Sequence, residues 1–276
     1  MNTLQPIETN QDAQQIKAEV KKFYGQVALS NSAAGCCDTG GCCGIELDVK
    51  FAEDYSQLEG YVPEADLGLG CGLPTQFAQI QAGETVLDLG SGAGNDAFVA
   101  RRLVGETGRV IGVDFTGEMV KKARDNARRL GYDNVEFKLG DIENLPIDAD
   151  SIDLIVSNCV LNLVPDKPRA FAEMFRVLKP GGRFCVSDIV LEGELPARLR
   201  SVVSLYAGCV SGAVPKADYL DFARQAGFSD LIEFRLQPLH VPQEALARHL
   251  SEAEATALLP AAIQLYSLTL GGQKTN

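Results

Sequence analysis

The stretch that decides the fold is Thr85-Val-Leu-Asp-Leu-Gly-Ser-Gly-Ala-Gly94, in which an apolar run leads directly into a glycine-rich turn. An amphipathic helical pattern, Asn95–Val104, follows at once. Glycines at 90, 92 and 94 remove side chains where a backbone must approach a ligand closely. The segment therefore predicts a strand, a ligand-binding turn and a helix, which together form the opening unit of an open α/β sheet.

The same alternation of strands and helices continues toward the C-terminus and predicts a mostly parallel sheet with helices on both faces. Lys179–Gly182 predicts a helix stop and a turn. Beyond Asp188 the pattern is less regular. The predicted strands are Thr85–Gly90, Arg109–Asp114, Val135–Asp141, Ile152–Cys159, Gly182–Asp188, Leu231–Leu236 and Ser267–Gly272, and the predicted helices are Asn95–Val104, Glu118–Leu130, Lys167–Leu178, Pro196–Ala207 and Lys216–Ala226.

The N-terminal region has a different character. Asn10–Val27 carries apolar residues at helical spacing and predicts an amphipathic helix. Ser30–Gly44 (SNSAAGCCDTGGCCG) is rich in Gly, Ser and Cys, lacks periodicity and predicts a loop. We divide the chain into an N-terminal helix and Cys-rich segment (1–74), a ligand-binding core (75–190) and a small C-terminal α+β region (191–276) that completes the sheet.

Composition narrows the range of partners. The chain has 276 residues, 46% of them hydrophobic, and a formal net charge of −12. An acidic surface disfavours nucleic acid and anionic membranes as partners. The first residues show neither a basic region nor an apolar core of a secretory signal, and no apolar run reaches membrane-spanning length. We expect a cytoplasmic protein, in which eight cysteines are ligands or redox groups rather than structural disulfides.

Acidic residues at the strand ends point to the ligand of the glycine-rich turn. Asp114 ends the second strand, where a carboxylate can accept hydrogen bonds from ribose hydroxyls. Asp88, just before the turn, suits a ligand with an ammonium group, and Asp141 or its neighbours can reach an adenine. The spacing is GxGxG, with Asn95 in the place of the last glycine of a dinucleotide motif. These features together favour S-adenosylmethionine.

Three isolated cysteines, Cys71, Cys159 and Cys209, lie on distant segments of the chain. Cys159 ends a predicted strand, where an open α/β sheet places reacting groups. A buried cysteine often serves only as a small apolar side chain, and Cys185, inside another strand, fits that description. Three thiols from distant segments instead indicate a site for a three-coordinate thiophilic atom.

These features resemble a known family over residues 18–230. From Thr75 to Asp188 the chain is similar to class I S-adenosylmethionine-dependent methyltransferases, and within that group it resembles the arsenite methyltransferases. The matching segments are Val20–Gly25 (VKKFYG), Gly70–Gly72 (GCG), Asp88–Asp96, Gly140–Leu145 (GDIENL), Ser157–Lys167 (SNCVLNLVPDK) and Cys209–Ala213 (CVSGA). The resemblance implies a Rossmann-like, mostly parallel sheet of seven strands. Leu69 and Gly208 depart from the family pattern, which has an aromatic residue and an acid there in several members.

The resemblance also implies roles for individual residues. Cys71, Cys159 and Cys209 would bind trivalent arsenic, and one thiol of the N-terminal loop would take part in its capture or in a disulfide relay. The chain offers four candidates for that thiol, namely Cys36, Cys37, Cys42 and Cys43. The implied cofactor contacts are Gly90, Ser91, Gly92, Asp114, Phe115, Thr116, Met119, Ile142, Glu143, Asn158 and Val160, to which the strand-end argument adds Asp88, Gly94 and Asp141.

The chemistry is consistent with these residue types. Three thiols displace the hydroxyls of arsenous acid as water and leave the arsenic lone pair free to attack a sulfonium methyl group, so no general base is needed. The resemblance implies arsenite or its thiol conjugate as the substrate. Methylation oxidises arsenic, and the family resemblance implies that a cysteine pair returns two electrons and is then reduced by thioredoxin or glutathione. We expect a monomer.

Three alternatives remain open from the sequence. A methyltransferase for a small organic acceptor shares the core through VLKPGG (Val177–Gly182) but does not need the three thiols. A non-catalytic metalloid-binding protein needs the thiols but not an intact donor site. The cluster CCDTGGCC (Cys36–Cys43) can also be compared with a four-thiolate zinc site, although it lacks the two separated CxxC pairs of zinc ribbons.

Overall fold

A computed structural model describes residues 10–29, 51–193, 212–239 and 263–275. The element labels below count only the elements within these ranges. The helices are α1 (Asn10–Leu29), α2 (Pro74–Phe77), α3 (Asn95–Val104), α4 (Gly117–Leu130), α5 (Lys167–Val177) and α6 (Lys216–Gln225). The strands are β1 (Thr85–Leu89), β2 (Arg109–Asp114), β3 (Val135–Leu139), β4 (Ile152–Asn158), β5 (Leu178–Gly193), β6 (Val214–Pro215), β7 (Ser229–Leu239) and β8 (Ile263–Gln273).

One mixed sheet organises the described residues, with the strand order β3-β2-β1-β4-β5-β8-β7 and with β6 beside β5. The first five strands are parallel, and β8 is antiparallel to both β5 and β7. The strand order reverses at β1, which pairs with β2 on one side and with β4 on the other. In open α/β sheets the crevice at the carboxyl ends of the strands at such a reversal is the usual ligand site.

Helices cover both faces of the sheet, as expected. Phe171 and Met174 of α5 and Tyr219 of α6 pack on one face. Phe98 of α3 and Ala123 of α4 pack on the other. The central strands are therefore buried on both sides, which explains why they are nearly continuous apolar runs instead of alternating ones.

The sheet contains eight strands within the described residues, so the expectation of seven was wrong. The additional strand, β6, is only two residues long and pairs with Val190 and Leu191. It forms because β5 continues to Gly193, beyond the end of its pairing with β4, and leaves backbone groups there for another segment. A two-residue strand has no recognisable periodicity in sequence.

Most element bounds agree with the sequence-based prediction to within a few residues. The main difference lies in β5, which runs from Leu178 to Gly193 rather than from Gly182 to Asp188. Gly181 and Gly182 exchange backbone hydrogen bonds with Lys274, just beyond the end of β8. The partner strand thus extends β5 through the predicted turn. The predicted helix Pro196–Ala207 lies outside the described residues.

None of the helices in the described ranges combines the length and apolarity needed to span a membrane. The division into segments 1–74, 75–190 and 191–276 stays a prediction.

Candidate active site

A cleft opens at the carboxyl ends of β1, β2 and β4, with about 1150 Å³ of empty space. The backbone φ angles of Gly90, Gly92 and Gly94 are +65°, +51° and +101°, values that glycine adopts far more readily than other residues. A Cβ atom on Gly92 would meet nothing within 4 Å, whereas one on Gly94 would lie 2.8 Å from the Phe98 ring. Gly92 therefore faces open space for a ligand, while Gly94 permits close packing of α3.

Asp114, at the end of β2, supports the glycine-rich turn from below. Its Oδ2 accepts a hydrogen bond from the Gly92 backbone N–H at 3.0 Å, and its Oδ1 accepts one from Thr116 N–H at 2.8 Å. Burial raises the pKa of this carboxyl, and the two backbone donors oppose that shift. Each oxygen keeps a further lone pair, so Asp114 can still accept hydrogen bonds from ligand hydroxyls.

Two buried carboxyl groups, Asp88 and Asp96, line the deep end of the cleft. Burial, together with the charges of Asp96 and Asp114, raises the pKa of Asp88 well above its usual value. Burial also raises the pKa of Asp96 to about 6, although hydrogen bonds from Tyr55 and Asn158 oppose the shift. Two buried carboxyls this close to one another favour a positively charged ligand.

Unpartnered polar atoms support the same conclusion. Asp88 Oδ2, Ser91 Oγ and Asn95 Oδ1 are buried without a hydrogen-bond partner among the described residues, and all three residues line the cleft. Buried polar atoms are normally paired, and unpaired ones mark places where a ligand or water completes the site. The open face of Gly92 and these atoms fit a donor that carries an ammonium group and hydroxyls.

Most of the predicted cofactor contacts meet in this cleft. Glu143 lies outside the lining, because its carboxylate contacts Lys17 Nζ and accepts a hydrogen bond from Asp166 N–H. Gly94 is also absent from the lining, for the packing reason given above. The predicted residues that do line the cleft are Asp88, Gly90, Ser91, Gly92, Asp114, Phe115, Thr116, Met119, Asp141, Ile142, Asn158 and Val160.

Helix α1 forms part of the rim of the cleft. Lys17 and Tyr24 face the opening. The Lys17 ammonium lies 2.7 Å from Asp141 Oδ2 and also contacts the Glu143 carboxylate. These ion pairs attach the N-terminal helix to the end of β3, which the sequence had not predicted.

Cys71 and Cys159 lie side by side at the edge of the cleft, although 88 residues separate them. They are joined as a disulfide, with their Cα atoms 5.7 Å apart. Cys159 lines the cleft, and Cys71 is buried behind it. The predicted arsenic ligand Cys209 and the loop thiols Cys36, Cys37, Cys42 and Cys43 lie outside the described residues.

The GCG segment holds Cys71 in a narrow space. A Cβ atom on Gly70 would lie 2.6 Å from Asn158 Nδ2, and one on Gly72 would lie 2.6 Å from Ser187 Oγ. The Cys71 N–H donates to Asn158 Oδ1 at 3.0 Å, and the Cys71 carbonyl accepts from Ser267 Oγ at 2.6 Å. Both glycines are therefore required by close approach rather than by flexibility.

Cys159 is fixed mainly through its backbone. Its φ angle is +58°, and its N–H donates to the Ser187 carbonyl at 2.7 Å. The same carbonyl lies 3.7 Å from Cys71 Sγ, so Ser187 contacts both cysteines. The Ser187 hydroxyl is in turn paired with Thr269 Oγ1 at 2.9 Å. Strands β5 and β8 thus provide the polar groups that surround the two cysteines.

Several residues of this site were not recognised in the sequence. Ser267 and Thr269 alternate along β8 and so share one face, a weak signal that many strands show. Tyr55 and Asp96 meet only through the tertiary fold. Cys185, by contrast, lies in the core as expected, and burial raises its pKa to about 12.

Comparison with known proteins gives a consistent assignment. A methyltransferase-domain family matches residues 80–227. The chain is 41% identical to an arsenite methyltransferase of Halobacterium salinarum, over 79% of this chain and 59% of that protein. It is 36% identical to one of Aquipseudomonas alcaligenes, over 85% of this chain and 68% of that protein.

A solved structure is similar as well. The crystal structure of an arsenic(III) S-adenosylmethionine methyltransferase from Chlamydomonas reinhardtii aligns with a TM-score of 0.62 at 36% identity, covering 75% of this chain and 67% of that one. The sheet order and the glycine-rich cleft define a methyltransferase of the Rossmann-like class. Within that class, the chain belongs to the arsenite methyltransferase family. It spans 59% to 68% of the length of these two curated relatives.

Proposed function

We propose that the protein transfers methyl groups from S-adenosylmethionine to trivalent arsenic held by cysteine sulfurs. The observation that carries this proposal is the meeting of Cys71 and Cys159 at the edge of the donor cleft, across 88 residues of sequence. A methyltransferase for an organic acceptor has no need for two thiols at this place. The names of the relatives support the same substrate.

The cleft residues provide the means to hold the donor. Asp88 and Asp96 would accept hydrogen bonds from its ammonium group, and Asp114 would accept them from its ribose hydroxyls. Gly92, which has no side chain, leaves room for the donor to lie against the backbone of the turn. When bound, S-adenosylmethionine supplies an electrophilic methyl group on a sulfonium. The buried carboxyls would then be held in their ionised form by the ligand's positive charge.

The thiols supply the other half of the chemistry. Cys71 and Cys159, once reduced, would bind arsenic together with Cys209, each sulfur displacing one hydroxyl of arsenous acid as water. Three sulfurs leave the arsenic lone pair free as the nucleophile, so the site needs no proton acceptor. The contribution of these residues is positioning, which can be worth roughly 7–11 kcal/mol of barrier.

The oxidation state of arsenic must be restored after each transfer. Methylation takes arsenic from the trivalent to the pentavalent state, and two electrons return it. A pair of cysteine thiols can give these electrons by becoming a disulfide. Cys71 and Cys159 are close enough to form one. A thiol reductant, thioredoxin or glutathione, would then reopen it. We propose that the protein works as a monomer in the cytoplasm, where such reductants are present.

The loop thiols are proposed to deliver arsenite or to relay the disulfide. Cys36, Cys37, Cys42 and Cys43 stand close together in sequence, so some can replace one another. We assign them no part in the methyl transfer itself.

The test is product speciation. Reduced protein is mixed with arsenite and isotopically labelled S-adenosylmethionine, and arsenic species are separated and identified by mass spectrometry over time. Labelled methylarsenicals from the wild type and from Cys185→Ala, with none from Cys159→Ser, are expected. Transfer of label only to an organic acceptor, with no methylated arsenic, would overturn the proposal.

A further inference from the structure

A segment of the chain connects the donor cleft to the arsenic site, and we name residues 51–72 the cleft strap. Residues of the strap between Ala52 and Gly70 line the cleft, and Cys71 follows directly. Cys71 itself is buried and does not line the cleft. A bound donor can therefore influence Cys71 only indirectly, through Asn158, Cys159 and the strap residues that line the cleft and contact Cys71.

Tyr55 lies at the start of this connection. Its side chain is almost fully buried, with 3% exposure. Its hydroxyl donates to the Asp96 carboxylate, with oxygen–oxygen distances of 2.9 and 3.0 Å, and accepts a hydrogen bond from Asn158 Nδ2. One hydroxyl group thus joins a carboxylate of the donor cleft to an amide at the end of β4.

Asn158 continues the connection to the cysteine. Its Nδ2 donates to the Gly72 carbonyl at 2.7 Å, and its Oδ1 accepts from the Cys71 N–H at 3.0 Å. The amide therefore holds the backbone on both sides of Cys71. Because a Cβ on Gly70 would collide with Asn158, the strap has no room to shift past it.

We propose that Tyr55 is a positioning residue that couples occupancy of the donor cleft to the placement of the Cys71 thiol. This inference rests on the proposed function, since it assigns the purpose of the coupling to arsenic methylation. Binding of the donor would hold the Cys71 thiol in the position for arsenic binding, so that arsenic is held there only when a donor of methyl groups is bound.

The direction of the coupling follows from charge. A cation in the cleft favours the ionised form of Asp96, and a hydrogen bond from a hydroxyl to a carboxylate is stronger than one to a neutral carboxyl. The firmer Asp96–Tyr55 contact holds the tyrosine oxygen toward Asn158, and the amide then holds the strap. Allosteric couplings of this kind usually amount to about 5- to 150-fold in affinity.

The experiment measures the reactivity of Cys71 directly. The reduced protein is alkylated with and without saturating S-adenosylhomocysteine, which carries the same ammonium group but no transferable methyl, and modification at Cys71 is quantified by peptide mass spectrometry. We expect the ligand to slow alkylation by about fivefold or more in the wild type. Tyr55→Phe, which keeps the ring and removes the hydroxyl, should reduce that protection to less than about twofold.

Tyr61→Phe is the matched control. Tyr61 lies in the same strap, and its hydroxyl also contacts a carboxylate, Asp66 Oδ2 at 3.2 Å, but the structure gives it no hydrogen bond to Asn158. In Tyr61→Phe, the ligand should slow the alkylation of Cys71 by the same factor as in the wild type. S-adenosylhomocysteine should likewise raise the affinity for arsenite in the wild type and in Tyr61→Phe, and much less in Tyr55→Phe. By reciprocity, arsenite should raise the affinity for S-adenosylhomocysteine by the same factor.

The outcomes separate the two proposals. Equal protection in Tyr55→Phe and wild type, or no protection in the wild type, overturns the coupling. If Tyr55→Phe does not unfold cooperatively, Asp96→Asn at saturating ligand takes its place, with the same loss of protection expected. Failure to find methylated arsenic would overturn the proposed function, while the alkylation result would stand independently as a measure of coupling.

Discussion

The donor cleft and the thiol site lie next to each other but are built in different ways. The centre of the cleft is built from elements that follow one another in sequence, namely β1, its glycine-rich turn, α3 and the end of β2, while α1, the cleft strap and the end of β4 complete its walls. The thiol site joins Cys71 and Cys159 across 88 residues and rests on β5 and β8. The first depends on local backbone geometry and the second on completion of the sheet. Most substitutions should therefore affect one site more than the other, and the exceptions are Tyr55 and Asn158, which line the cleft and also contact the Cys71 segment.

The largest effect is expected at the thiol site. Cys159→Ser should lower arsenite methylation by a factor of about 100 or more, because positioning contributes effective molarities on the order of 10⁵ M or higher. Serine is close in size, so the backbone at this position is kept. Donor affinity measured by calorimetry should be unchanged. Methylation of arsenite at the wild-type rate would contradict the assignment of Cys159.

The cleft should show the opposite pattern. Asp114→Ala removes the acceptor of the Gly92 and Thr116 N–H groups and of the donor hydroxyls. Donor binding should weaken by about 1.5–3 kcal/mol, or roughly 10- to 150-fold. Arsenite binding to the thiols without donor should be kept. Asp133→Ala, at an exposed carboxylate, serves as the control, and equal donor affinity in both variants would rule out the role of Asp114.

A smaller effect concerns pH. The pKa of Asp96 is raised to about 6 by burial, so between about pH 4 and 6 the folded protein holds a proton that the unfolded chain releases. Its contribution to folding stability therefore falls as pH rises through that window. The affinity for the donor changes with pH in the opposite direction, because the ammonium group of the donor favours the ionised form of Asp96. Affinity should rise by up to about tenfold per pH unit near pH 6.

The matched comparison uses a second buried carboxyl. Asp188 has a pKa raised to about 7 by burial, against the opposing effects of the Tyr219 hydroxyl and the Lys167 charge, but it does not line the cleft. Asp96→Asn should flatten the rise in donor affinity near pH 6, whereas Asp188→Asn should leave it in place. Calorimetric titrations from pH 5 to 8 decide the matter. A flattened profile in Asp188→Asn would show that the rise does not report on the cleft.

The smallest effect on activity is expected at Cys185, a thiol that lies on β5 two residues before Ser187 but is packed in the core. Cys185→Ala should leave methylation unchanged and lower the free energy of unfolding by about 1 kcal/mol, from lost packing. Denaturant unfolding and initial rates measure the two quantities. A large loss of activity with unaltered stability would place this thiol in the reaction.

The difference between local geometry in the cleft and long-range contacts at the thiol site also explains which features the sequence could predict. The bounds of α3 and β2 agree with those expected from sequence, because apolar periodicity and the glycine turn act within a few residues. The roles of Tyr55 and Ser267 could not be anticipated. Tyr55 meets Asp96 across 41 residues, and Ser267 meets the Cys71 carbonyl across 196. Such contacts can be identified only once the order of the strands is known, because a single hydroxyl group produces no recognisable pattern in the sequence.

The distance in sequence between Cys71 and Cys159 has a consequence for the unfolded chain. A covalent bridge across 88 residues removes chain entropy from the unfolded state, worth about 4–5 kcal/mol on the loop-closure estimate. An arsenic atom bound to both sulfurs closes the same loop. Under the proposed function, bound arsenic would therefore stabilise the folded protein against unfolding as the disulfide does, and only reduction of the disulfide would restore the full entropy of the unfolded chain.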